Sequence, residues 1–104
     1  MSNFVFIYSN GGDTGNLPME EVRAAWGAWF GQLGDKLVDG GNPFNDGGQV
    51  VTKSGVMDVA GTPATGYSIV KADSQAEAQE LAKSCPLLDH SPSGAVQVYE
   101  ALPM

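Results

Sequence analysis

Five consecutive residues near the start of the chain, Phe4-Val5-Phe6-Ile7-Tyr8, are apolar on both parities. A run of β-formers like this, closed by Ser9-Asn10-Gly11-Gly12, reads as a strand. Side chains alternate across a strand, so Phe4, Phe6 and Tyr8 share one face and Val5 and Ile7 the other. A sheet built on this strand therefore needs cover on both faces.

The chain offers two helices for that cover. In the first, Pro18 fits the opening position, where its missing N–H costs nothing, and Glu20 and Glu21 suit the positive end of the helix dipole. Val22, Trp26, Trp29, Phe30 and Leu33 then recur at helical spacing, with an end expected near Gly34. Gly27 and Gly31 each weaken this helix by about 1 kcal/mol relative to Ala. In the second, Ser74-Gln75-Ala76-Glu77 forms a capping-box pattern, and Ala78, Leu81, Ala82 and Cys85 mark one face. Pro86 is expected to stop it, leaving Leu87 to Gly94 as a loop. Cys85 reads as a small core residue, because only Lys83 stands near enough in sequence to favour a thiolate.

Strand character appears at Lys36 to Asp39, Gln49 to Lys53, Val56 to Val59, Tyr67 to Ala72 and Ala95 to Leu102. The glycine-rich stretches 9–16 and 39–48 read as loops. Strand, helix, strand region, strand, helix, strand is the βαββαβ order of a ferredoxin-like α+β fold. That plan places two helices on one face of an antiparallel four-stranded sheet and leaves the second face bare. The cover that the first strand demands must then come from a second copy, so the sequence predicts a homodimer with sheets packed face to face.

At 104 residues the chain fits a single domain, 1–104. Acids outnumber bases 12 to 5, for a net charge of −7. That balance speaks against a nucleic-acid phosphate backbone or an anionic membrane as partner. It favours small neutral or cationic ligands over anions, unless local N–H groups offset the field. One cysteine allows no internal disulfide, and no apolar run approaches the roughly 18 residues of a membrane span. The expected setting is the cytoplasm.

Several segments resemble YCII-related domains. Ala24 to Phe44, AAWGAWFGQLGDKLVDGGNPF, is similar to their first half. Gly66 to Ser74 resembles their Gly-Tyr strand, Ala76 to Pro86 their second helix ending in Cys-Pro, and Gly94 to Glu100 their closing strand. The resemblance implies a dimeric α+β barrel. It also has gaps. The family's Asp-Gly-Pro-Phe motif is reduced to Asp58 followed by Val59-Ala60-Gly61. The family's first-helix His, paired with an Asp as a proposed catalytic dyad, is replaced by Ala24, Ala25 or Trp26. That His–Asp chemistry does not carry over.

The candidate site residues follow. Asp39 and Asp58 end strands and could serve as acid/base carboxylates, or could simply satisfy turn N–H groups. Trp26 and Trp29 could floor an apolar pocket between helix and sheet, though periodic aromatics are core or interface first. Tyr8 and Tyr67, at strand ends, could bring hydroxyls to a cleft. Neither glycine-rich loop has the spacing of a phosphate-binding loop, and Asp39 with Asp46 lacks that of a calcium loop. One His and one Cys give no zinc set, so neither a metal nor another cofactor is expected. His90 reads as a solvated loop residue. Three functions stay open: a small-molecule-binding module using Tyr8, Trp26 and Tyr67; a small isomerase- or hydrolase-type enzyme using Asp39 or Asp58; and an interaction module.

Overall fold

The computed structural model describes residues 1–10 and 17–104. The glycine-rich segment 11–16, read above as part of a loop without phosphate-binding spacing, lies outside the described residues. Strand β1 (Ser2–Ser9) leads to helix α1 (Met19–Leu33), a 3-10 turn (Gly34–Lys36) and the short strand β2 (Leu37–Asp39). Strands β3 (Gln49–Thr52) and β4 (Gly55–Asp58) precede β5 (Ala64–Ala72). Helix α2 (Gln75–Lys83), helix α3 (Pro86–His90) and strand β6 (Ala95–Ala101) complete the chain.

The architecture is α+β, with a four-stranded sheet in the order β2-β5-β1-β6. Every neighbouring pair in it is antiparallel. The parity of β1 is realised as the sequence predicts. Phe4, Phe6 and Tyr8 are buried with Val70 and Ala72 of β5 and with Trp29, Leu33, Ala78 and Ala82 of the helices. Removing each such Phe from water stabilises the fold by about 1.5–3 kcal/mol. Val5 and Ile7, on the other face, are only half-buried. Alongside Val5 lie Ile69 of β5 and Tyr99 of β6, so one apolar row crosses three strands.

Helix α1 opens with Pro18 as its N-cap, one position before the place expected for it, and closes on Gly34 at φ 54°. The Trp29 indole N–H donates to Ser84 Oγ at 2.9 Å, tying α1 to the end of α2. At the start of α2, Ser74 Oγ accepts from the Glu77 N–H at 3.1 Å, the first half of a capping box. The Glu77 carboxylate turns instead to Lys36, 3.4 Å away.

Four expectations are corrected. Pro86 does end α2, but it also begins α3, because a proline in the first turn sacrifices no hydrogen bond. The segment after it is therefore helical to His90 and not loop throughout. Cys85 is fully buried but sits as the N-cap of α3, beyond the end of α2. His90 is half-buried in that helix, and its Nδ1 is shielded from water with no hydrogen-bond partner among the described residues. The segment 49–58, read as part of the strand series, pairs only with itself as a two-stranded hairpin. All of its strand residues are exposed, among them the facing pair Val51 and Val56 at 76% and 61%. Among the described residues, no helix is long and apolar enough to cross a membrane.

Candidate functional site

Helix α1 carries two stripes. Trp29 and Leu33 point into the core. Met19, Arg23, Trp26, Gly27 and Phe30, at steps of three and four, line a cavity beside it. Trp26 belongs to both. Its ring stands edge-on to Tyr8 at 5.0 Å and to Trp29 at 5.7 Å, so it packs on the core while bordering the cavity. Gly27 opens the space further, since a Cβ there would meet nothing within 4 Å.

The opposite wall is the segment after β2, and its hold on β5 is non-local. Asp39 Oδ1 accepts the Gly41 N–H at 2.8 Å, an Asx-type turn that bends the chain out of β2. Gly41 adopts φ 73°, and any Cβ there would strike the Tyr67 carbonyl. Only glycine allows so close an approach. Pro43 then bridges to Gly66, and the Phe44 N–H donates to the Thr65 carbonyl at 2.8 Å. Phe44 finishes the clasp by stacking on Tyr67, with ring centroids 5.8 Å apart and planes 23° from parallel.

Between these walls lies a cavity of about 720 Å³. Tyr8 of β1, Trp26 of α1 and Tyr67 of β5 all line it. The structure therefore gathers the three residues singled out as ligand-binding candidates. Asp39 and Asp58 are not among its lining residues. Asp39 is engaged with Gly41, and Asp58 stands exposed on the hairpin, 3.5 Å from Gln49 Nε2. Among the described residues, the carboxylate that does reach the cavity is Asp46.

The Tyr8 hydroxyl is buried and hydrogen-bonded. Ser68 has a single proton, which it donates to the Gly40 carbonyl at 2.7 Å, so in the 2.8 Å contact between them Tyr8 must be the donor. Burial raises the Tyr8 pKa, outweighing the opposing effect of the Ser68 hydrogen bond, and the group stays a neutral phenol. Burial likewise pushes the Cys85 thiol up to about 12, which is the reverse of an activated nucleophile. Tyr8 thus shapes the cavity and anchors its wall without offering a base.

Sequence reasoning missed Arg23 and Phe44, and weighed Asp46 only against a calcium loop. A signal existed for Arg23, which stands four residues from Met19 and three from Trp26. Phe44 and Asp46 lie in a loop whose fold depends on contacts with β5, and no local pattern announces those.

No family model, no curated protein and no solved structure matches this chain.

Proposed function

We propose that this chain is a small-molecule-binding protein and that the cavity between α1, β5 and the loop after β2 is its site. One observation carries this reading. Residues of three separate elements, Tyr8, Trp26 and Tyr67, line a single cavity of about 720 Å³. That volume falls within the roughly 300–1,000 Å³ of small-molecule sites, which are mostly apolar with few polar groups. The positions of Asp39 and Asp58 favour binding over acid/base catalysis, since neither lines the cavity.

The reading includes a homodimer. The row Tyr99, Val5 and Ile69 runs across the sheet face opposite the helices, and Tyr99 is 56% exposed. A contiguous apolar patch of this kind marks an interaction surface. Counted within the main sheet alone, the strands run second, third, first, fourth; we take this as a ferredoxin-like plan, to which a second copy on the bare face would add a dimeric α+β barrel of the YCII type.

Thermal-shift screening against small acids, aromatics and nucleotides tests the site. A stabiliser is expected, and its effect should vanish in Gly27→Leu, whose side chain enters the cavity from a position with open space around it. Failure of every compound at saturating concentration overturns the reading. Sedimentation equilibrium at micromolar concentration tests the dimer. A wild-type dimer broken by Val5→Glu is expected, and a wild-type monomer refutes it.

A further inference from the structure

We propose that the cavity takes an apolar, ring-bearing monoanion whose carboxylate is held by Arg23; this rests on the small-molecule reading above. The chain's net charge of −7 points the other way, toward neutral or cationic ligands. Local geometry reverses that at the cavity. Arg23 is the one cation that lines it among the described residues. Two of the chain's other cations are paired, Lys36 with Glu77 at 3.4 Å and Lys83 with Glu80 at 2.8 Å. Arg23 has neither an ion pair nor a side-chain hydrogen bond among the described residues, although acids outnumber bases 12 to 5. Among the described residues nothing occupies its guanidinium, whose planar fork fits a carboxylate in two parallel hydrogen bonds.

The rest of the lining sets the remainder of the ligand. Trp26 follows Arg23 by three residues on the same helix face, and Phe44 and Tyr67 supply a stacked pair on the loop side. Flat rings suit flat rings. Asp46 is the cavity's counterweight. Its carboxylate repels a ligand's acid group from the loop side and so assigns that group to α1. It also disfavours a second negative charge, which separates a carboxylic acid from a phosphate ester.

Calorimetric titration with 2-naphthoate, 2-naphthamide and 2-naphthylmethylammonium tests this on the full chain. These probes share one ring system and differ in charge. The acid should bind wild type about tenfold more tightly than the amide, the scale of one charge-assisted pair. Arg23→Gln should bring acid and amide to parity, with the melting temperature kept because Arg23 is exposed. Asp46→Asn should tighten the acid and leave the amide unchanged. Equal binding of all three, or preference for the amide or the amine, overturns the anion assignment and leaves the site standing. Absence of any binding that Gly27→Leu blocks overturns both.

Discussion

The Tyr8 hydroxyl donates to Ser68 Oγ at 2.8 Å across sixty positions of sequence, and Ser68 passes its own proton to the Gly40 carbonyl at 2.7 Å. The direction of this relay makes its members unequal. Tyr8→Phe removes one donor and leaves the Ser68 hydrogen bond to Gly40 in place, at a cost of about 0.5–1.5 kcal/mol. Ser68→Ala strands the Tyr8 hydroxyl in the interior, at about 1–3 kcal/mol. Urea midpoints for the two variants should rank in that order, and the reverse ranking would contradict the relay.

Burial of the Cys85 thiol gives stability a pH dependence of definite sign. In the native chain its pKa is pushed up to about 12, from an ordinary value of 9.0. The raising effect of nearby Asp89 is smaller than that of burial. Above about pH 9 the unfolded chain releases a proton that the native chain retains, so stability falls as pH rises toward about 12. Below 9 the contribution is fully present. Tyr8 adds a second loss of the same sign that starts higher, near 10. Denaturation curves between pH 7 and 11 should show a decline that is shallower in Cys85→Ala; identical slopes would exclude Cys85 as a source.

Gly41 is held by two constraints that substitution can separate. Its φ of 73° penalises most side chains, and the Tyr67 carbonyl blocks any Cβ. Asn tolerates the first constraint and not the second. Gly41→Ala and Gly41→Asn should therefore both lose about 2–3 kcal/mol in thermal unfolding. Rescue by Asn would mean that the backbone angle alone matters.

Gly27 and Gly31 stand in the interior of α1, where a Cβ meets nothing within 4 Å. Alanine at either should raise stability by about 0.5–1 kcal/mol, and the double substitution should be close to additive. Melting temperatures measure this directly. A loss of stability at Gly31 would point to a close neighbour, such as a second protein copy, against that helix face.

What the sequence made legible is what repeats locally. The parity of Phe4 to Tyr8, the strand character of Tyr67 to Ala72, the helical spacing from Trp26 to Leu33, and the Ser74 cap all follow from short-range stereochemistry. The main sheet and its buried face follow from them. The separate hairpin was not legible, because Gln49 to Thr52 has strand composition whichever strand it pairs with. Helix α3 was missed because one proline both ends a helix and starts another. At the site, aromatic Tyr8, Trp26 and Tyr67 stand out by type and position. Arg23 shows only by its spacing from Met19 and Trp26, since a charged residue on a helix ordinarily faces solvent. The clasp of Gly41 on Tyr67 joins positions far apart in the chain, and its steric reason exists only in three dimensions.

That clasp has a consequence for how the molecule can be altered. The chain leaves the cavity wall at Phe44 and returns at Thr65, and those two residues are already joined by a backbone hydrogen bond. Everything between them, the hairpin included, is an excursion with fixed ends. Its closure entropy rises only slowly with length, so residues 47–63, between the cavity-lining Asp46 and the start of β5, form a port where sequence can be lengthened, shortened or exchanged. A reporter domain grafted at the Ser54-Gly55 tip would sit on a stalk rooted beside the cavity.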